Sequence, residues 1–502
     1  MQTEQTESPP PLQGRARGGL KQEVAAALRW TSVAKFGGQI VNWAITLVVI
    51  RLLLPADYGL MAMINIVIGF LAMIAEMGFG ASIVQSAILE PYRLRQMFGA
   101  ALLANGAIFA GLAAGAPSIA LFYHEPRLVS LIQVAALGFL INAFCVVPDS
   151  LLRRSLNFKR VSQIEIGSGV IGNLSTLAMA WEGWGVWALV LSGLVSGTVR
   201  LVALHAVSRE FVAPTFTFAG TRRMMSFSSS LTVTRMLWYW SSQADILIAG
   251  KLLGTAPLGI YSVAVHLGSL PMQRVSSIVN NVAFSAFAKI QNDRVAIAAN
   301  VRLAIRLIAL FAFPTLWGLA VVAPEVVRIA LGRNWLASTL PLQIVALTIP
   351  LRMIGTIVST TIMSIGRVHI AMVTTLAAAI LTPPMFLIGA HYGVVGLSLA
   401  WLGVTPVLFW LNLYRALPHL GLKVSMVFGE MLSSAIGAAL MAAAVWVTRI
   451  PLVGVGDAVR LPILIAVGAL IYVMFSWTFN RRCSLEAIGL LLPDRFVRFK
   501  TS

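Results

Sequence analysis

Five basic side chains stand where charge is expensive. Lys35, Arg200, Arg235, Arg274 and Arg352 each fall inside a long apolar stretch of the chain. An ionised group at the centre of a bilayer costs about 2.5–3.5 kcal/mol on insertion scales, so each must face protein or water. Arg274 closely follows Pro271 and Arg352 closely follows Pro350. A proline leaves a carbonyl without its helical donor, which bends the helix and lets it line a wet path. Guanidinium forks match phosphate oxygens two at a time. Lys35, Arg235, Arg274 and Arg352, converging on one cavity from four helices, would therefore form a receptor for a pyrophosphate or another anionic group. Blander roles compete with this one. Lys35 could snorkel to the nearer interface, Arg200 is placed for snorkelling at a helix end, and Arg235 could pair with an acid such as Asp245.

The acids in apolar stretches are Glu76, Asp149, Glu165, Asp245 and Glu430. An intramembrane carboxylate can bind a proton or a cation and so couple an ion to another event. Asp245 is the deepest and the first candidate for that role, with Glu76 beside it. Asp149 and Arg153 lie nearer the basic face and are candidates for an ion pair that closes a gate.

Other chemistries fail on context. Gly167-Ser168-Gly169-Val170-Ile171-Gly172 fits the dinucleotide pattern G-x-G-x-x-G, but no strand precedes it, and close helix packing by small residues is the favoured reading. H-E-x-x-H, C-x-x-C, phosphate-loop and nucleophile-elbow patterns do not occur. His124-Glu125 reads as solvated surface. Cys145 and Cys483 are too far apart in the expected topology to pair, so no disulfide or metal framework follows, and no cofactor is expected.

The elements that must carry these residues are membrane helices. The 502-residue chain is 58% hydrophobic and 11% charged, with a mean hydropathy of +0.85. Soluble domains hold about 25% charged residues, and this chain would expose too much apolar surface in water. A spanning helix needs about 20 apolar residues. Fourteen stretches qualify, near 28–52, 58–84, 97–121, 128–151, 162–181, 184–206, 226–250, 258–287, 302–323, 338–364, 369–390, 394–416, 425–448 and 460–479. They are unbroken apolar runs without alternation, which argues for helices over a β-barrel.

The net charge of +19 follows topology. Arg93, Arg95, Arg154, Lys159, Arg160, Arg222, Arg223, Lys289, Arg294, Arg481 and Arg482 all fall in loops after even-numbered spans or at the carboxyl end. The positive-inside rule then puts both termini in the cytoplasm, with anionic lipid headgroups, not nucleic acid, beside the basic residues.

The chain nearly repeats itself. Arg51-Leu-Leu-Leu-Pro-Ala-Asp-Tyr-Gly59 aligns with Lys251-Leu-Leu-Gly-Thr-Ala-Pro-Leu-Gly259, an offset of 200 (251 − 51). Trp184-Gly-Val-Trp-Ala-Leu189 is echoed by Tyr392-Gly-Val-Val-Gly-Leu397, at 208 (392 − 184). Lys35 and Arg235 are also 200 apart. Parallel repeats of a multi-helix unit are how many carriers build two lobes around a central path. The expected division is a disordered tail over 1–24, an N-lobe of six helices over 25–210, and a C-lobe of six over 211–420. Two further helices over 421–480 and a basic amphipathic tail over 481–502 complete it. The expected fold class is an all-α polytopic membrane protein of about fourteen transmembrane helices.

Three segments carry a family resemblance. Arg51-Leu-Leu-Leu-Pro-Ala-Asp-Tyr-Gly59, Gly78-Phe-Gly-Ala-Ser-Ile-Val-Gln85 and Leu151-Leu-Arg-Arg-Ser-Leu-Asn-Phe-Lys-Arg160 resemble the Wzx-type polysaccharide flippases. These belong to the multidrug/oligosaccharidyl-lipid/polysaccharide exporter superfamily, and the likeness is to the colanic-acid and xanthan branch. The resemblance implies alternating access in the bacterial inner membrane and movement of an undecaprenyl-pyrophosphate-linked oligosaccharide between leaflets. Short outer loops argue against an enzymatic step, and the expected assembly is a monomer, with the polysaccharide polymerase and chain-length regulator as candidate partners. Lys35, Arg235, Arg274 and Arg352 fit its cationic cavity by residue type. The alternatives are a lipid II or multidrug exporter of the same superfamily and, against short outer loops, a membrane polymerase or ligase.

Overall fold

The computed structural model describes residues 42–75, 83, 90–208, 212–217, 222–278, 287, 290, 293–481 and 485–486. Its helices are α1 (Asn42–Leu52), α2 (Pro55–Ala75), α3 (Pro91–Tyr123), α4 (Leu128–Arg154), α5 (Phe158–Trp181), α6 (Val186–Ser208) and α7 (Arg222–Leu253). There follow α8 (Thr255–Ile278), α9 (Arg294–Val326), α10 (Thr339–Ser364), α11 (Val368–Ala390), α12 (Gly393–Leu420), α13 (Val424–Arg449) and α14 (Asp457–Phe479). The described residues thus form an all-α protein, with a helix at each of the fourteen expected stretches. Ten of these helical segments are long and apolar enough to span a membrane. The long helices α5, α7 and α8 are more polar than that standard, and two of them carry the central cluster described below.

Local signals fix the ends. Asp293 caps α9 by accepting from the backbone N–H of Val295 and Ala296, which satisfies two donors that a helix start leaves unpaired. Gly421 ends α12 in the left-handed region at φ 68°, where a side chain would be strained. The last turn of α9 widens into a π-helical turn, Val327–Leu331, closed by Gly332 at φ 91°. The next residues, Arg333–Ser338, form a 3₁₀ segment.

Packing divides the chain into two units. One holds Met1–Val49, Gly78–Gly111 and Val134–Met224, and the other holds Ile50–Met77, Leu112–Gln133 and Met225–Ser502. The division does not follow the linear order of the repeat, because α2 packs along α8. In the first unit α5 packs on α6, with Val161, Ile164 and Leu204 in the core between them. In the second, α10 lies against α8, α9 and α12, and α13 and α14 lean on α9. Ile305, Phe313, Ile357, Leu413 and Met431 fill that core.

Lipid offers no hydrophobic drive between helices, so close approach at small residues matters. Gly389 and Gly396 supply one such contact. A Cβ on Gly396 would sit 2.1 Å from the Gly389 carbonyl oxygen, so α11 and α12 touch backbone to backbone. The G-x-G-x-x-G segment is only partly explained this way. Gly172 meets Ser196 of α6, but Gly167 and Gly169 face open space.

Candidate functional site

Four helices of the second unit bring polar side chains to one place. Asp245 of α7 and Tyr261 of α8 are 2% and 0% exposed. Arg352 comes from α10 and Trp401 from α12. Trp401 Nε1–H donates to Tyr261 Oη at 2.7 Å. Indole nitrogen can only donate, so the Tyr261 oxygen is the acceptor and its single hydrogen is free to go elsewhere. It goes to Asp245 Oδ2, at 2.7 Å. The other carboxylate oxygen, Oδ1, accepts from the Ile246 backbone N–H at 2.8 Å. The chain of bonds therefore has one direction, from Trp401 through Tyr261 to Asp245. Both carboxylate oxygens are thus engaged as acceptors.

The counter-charge is Arg352. Its guanidinium carbon sits 4.1 Å from the centre of the Trp401 ring, a cation–π contact that fixes the head without using its hydrogen-bond donors. Arg352 and Asp245 attract through the cluster, yet no ion pair within 4 Å joins them. Among the described residues no acceptor takes a hydrogen bond from the guanidinium. A planar fork of five donors held on an aromatic face, with none of them bonded among the described residues, has the geometry to accept an oxyanion. Phe386 packs edge-on against Trp401, at 5.1 Å between ring centres, and holds the indole. Asn412 Nδ2 donates to the Gly355 carbonyl at 3.1 Å and to Ser359 Oγ at 3.0 Å, which ties α12 to α10 just past Arg352.

The structure thus brings together two of the residues singled out in the sequence, Arg352 and Asp245. Arg235 and Arg274 lie on α7 and α8, but their side chains are outside the described residues, as are Lys35 and Glu76 altogether. Asp245 takes Tyr261 and Ile246 as its partners. Tyr261 and Trp401 were not anticipated, because a tyrosine and a tryptophan in apolar runs carry no sequence signal that separates ligand-positioning rings from packing ones.

In the first unit, Asp149 and Arg153 form the expected ion pair, at 2.8 Å one turn apart on α4. They belong to a larger network. Arg200 Nη2 reaches Asp149 at 3.2 Å, and Arg153 also holds Glu165 of α5 at 2.8 Å. Arg200 therefore pairs with a carboxylate of α4 while its side chain stays 32% exposed. Glu430 of α13 is likewise consumed, gripped by Arg302 and Arg306 of α9 at 2.6 Å each. Arg306 also binds Glu486 at 2.8 Å. Sequence reasoning missed a third network. Glu325 on α9 is fully buried; it accepts from Arg449 of α13 at 2.7 Å and lies within ion-pair distance of Arg460 of α14, at 3.3 Å. Arg460 in turn holds Asp457, at the start of the same helix. Among the described residues no cluster of three or more His, Cys, Asp or Glu could hold a metal.

A family model described as "Polysaccharide biosynthesis protein" matches residues 48–340, well over half of the chain. The chain belongs to the polysaccharide biosynthesis protein family. It is 27% identical to the teichuronic acid biosynthesis protein TuaB of Bacillus subtilis over 60% of this chain and 63% of that one. It is 27% identical to the succinoglycan biosynthesis transport protein ExoT of Rhizobium meliloti over 61% and 62%. To the lipopolysaccharide biosynthesis protein WzxC of Escherichia coli it is 23% identical over 76% and 78%. The match to TuaB and ExoT spans just under two thirds of their length.

Among solved structures the fold is similar to the lipid II flippase MurJ in an inward closed conformation, with a TM-score of 0.74, 14% identity and coverage of 90% of this chain and 99% of MurJ. It is also similar to an inward-facing multidrug transporter of the MATE family, at 0.57 with 14% identity over 80% and 95%. With ten helical segments long and apolar enough to span a membrane among the described residues, this member of the family is a multi-pass membrane protein, similar to proteins named for transport and lipid flipping. The Wzx-type likeness read from three short segments agrees with all of these comparisons.

Proposed function

We propose that this transporter is a flippase for an undecaprenyl-pyrophosphate-linked oligosaccharide. It moves the head group from the cytoplasmic to the periplasmic leaflet of the bacterial inner membrane, with both of its termini in the cytoplasm. Arg352 is the observation that carries the reading. A guanidinium fixed by Trp401, with none of its donors bonded among the described residues, matches a diphosphate better than a cationic drug, which would favour an acid-dominated site. Relatives named for polysaccharide biosynthesis, one of them for transport, support the saccharide part of the cargo.

The cycle follows from charge. The pyrophosphate enters a cavity open to the cytoplasm and binds Arg352 with Arg274, Arg235 and Lys35, while the polyprenyl tail stays in lipid. The new negative charge competes with Asp245 for the attraction of Arg352. Asp245 is then the coupling group: with its counter-charge engaged by cargo, it is balanced by a proton or a metal cation from solution. A cargo drives the change of state only through its different affinity for the two states, and a carboxylate that gains and loses its counter-charge supplies that difference.

The test is flipping of a fluorescent polyprenyl-pyrophosphate oligosaccharide in proteoliposomes. The wild type should flip it, Arg352→Ala with Arg274→Ala should lose flipping with folding intact, and Asp245→Asn should lose the dependence on the ion gradient. Full flipping by the double variant would remove the cationic site and leave the flippase. Drug efflux without flipping by the wild type would overturn the function.

A further inference from the structure

The repeat is visible in the structure as a reciprocal contact. Pro55 and Thr255 open α2 and α8 and are 200 residues apart (255 − 55), as are Gly59 and Gly259 (259 − 59). The first turns of the two helices cross so tightly that a Cβ on Gly59 would lie 1.8 Å from the Thr255 carbonyl oxygen. A Cβ on Gly259 would lie 1.7 Å from the Pro55 carbonyl oxygen. Each glycine thus meets the repeat-equivalent of the residue that meets the other. Such i-to-j and j-to-i pairing is what a two-fold relation imposes on a contact, here within one chain. No residue but glycine fits at either position.

A second layer of contacts repeats the crossing. Arg51 ends α1 and Lys251 lies in the last turn of α7, again 200 apart (251 − 51). Arg51 Nη1 donates to the Ile329 carbonyl at 3.4 Å, in the π-helical turn that closes α9. Lys251 Nζ donates to the Phe122 carbonyl, in the last turn of α3, and lies 3.3 Å from His124 Nδ1. Phe122 and Ile329 are 207 apart (329 − 122), in the range of the repeat offset. Each copy's basic residue therefore caps the third helix of the other copy. Aromatic rings close the same end: Trp335 Nε1–H donates to the Ile50 carbonyl at 2.8 Å, and Tyr123 packs on Gly250, the repeat-equivalent of Ile50.

We infer that this crossed pair is the latch of the periplasmic gate, the contact that must part for the head group to leave. The assignment of side and cargo rests on the flippase reading above. The parts suit a latch. The glycine crossing buries backbone against backbone and has one tight geometry, so it is either made or broken. The two caps are cations on helix C-termini, individually weak and partly exposed, and they can break without leaving a buried charge behind. The π-helical turn that Arg51 caps is a local departure from α-geometry, of the kind that collects at moving sites.

The latch is tested by distance measurement between spin labels at Leu54→Cys and Ala256→Cys, both at exposed tips of the crossing, with Cys145→Ala and Cys483→Ser removing the native thiols. Apo protein should give one short distance. Gly59→Ala should shift it to a longer, broader one. Arg51→Ala with Lys251→Ala leaves the helices unperturbed and should raise the long-distance population about three- to thirtyfold, the expectation for two lost helix-end caps. An unchanged short distance in the folded Gly59→Ala protein, or in the double variant, overturns the latch. The flipping assay separates the two ideas. Labels that part in a protein that flips nothing keep the latch and sink the flippase, whereas flipping with labels that never part does the reverse.

Discussion

Tyr261→Phe is the sharpest probe of the central cluster, because it removes one oxygen and nothing else. The ring volume is kept, so no cavity opens. Two bonds are lost, that from Trp401 and that to Asp245. A bond to a charged acceptor contributes about 1.5–3 kcal/mol and a neutral one about 0.5–1.5 kcal/mol. Their sum, about 2–4.5 kcal/mol, is an upper bound in a membrane, where inter-helix hydrogen bonds average about 0.6 kcal/mol because the unfolded helices find other partners. Two bonds at that average give a floor of about 1.2 kcal/mol. Burial decides between the limits. Trp401 is 6% exposed, and Asp245 and Tyr261 less, so water has little room to replace the missing oxygen. The expected loss is therefore in the upper half of the range, about 3 kcal/mol.

The measurement is reversible unfolding in mixed micelles for the wild type, Tyr261→Phe, Trp401→Phe and the double variant. Trp401→Phe removes the donor while leaving a ring under Arg352. If the chain of bonds is real, the two losses overlap in the double variant, and the coupling energy is about 1 kcal/mol or more. A Tyr261→Phe protein within about 0.5 kcal/mol of wild type, the scatter of surface substitutions, would refute the directional chain.

Two further outcomes follow from the other charged groups. Glu325→Ala leaves Arg449 and Arg460 without their shared carboxylate, and breaking a buried pair from one side costs about 3–5 kcal/mol; limited proteolysis should then cut between α13 and α14 well before the rest of the protein unfolds. Glu125, in the loop between α3 and α4, is held below its ordinary value of 4.5 first by its hydrogen bond to Arg127 and then by that residue's charge. The stability this adds is complete above 4.5 and is lost as pH falls through the lowered value; since Arg127 is 58% exposed, Arg127→Ala should change the acid side of a melting-temperature profile by the equivalent of less than about 1 kcal/mol.

The membrane class and the helices were legible because they depend on sums over twenty residues, and no single error moves them. Asp245 and Arg352 were legible for a related reason: charge in lipid is costly enough that each instance demands a partner or a task. What remained hidden was the partner. Asp149 took Arg200 as well as Arg153, Glu430 took two arginines from α9, and Glu325 was passed over although it is the most buried acid described. All of these pairs but Asp149–Arg153 join different helices, and pairing between helices is set by rotation about their axes, which hydropathy does not encode. Tyr261 and Trp401 were hidden more deeply, since their polar atoms are a small part of large apolar side chains.

The repeat is the exception, because it carries three-dimensional information in one-dimensional form. An offset of 200 says that two segments share a structure; it does not say that they touch. Yet Gly59 and Gly259 could be spared a side chain for a common reason only if each copy packs its first turn against the other's. The aligned glycines, eight residues beyond aligned basic residues, already held that possibility. The carbonyls of Pro55 and Thr255 turn it into a contact. The two sites then differ in kind. The cluster around Arg352 has no repeat counterpart among the residues read from the sequence, which suits the single-cargo receptor proposed for it. The crossing draws equivalent residues from both copies, which suits the latch proposed between two copies of one unit.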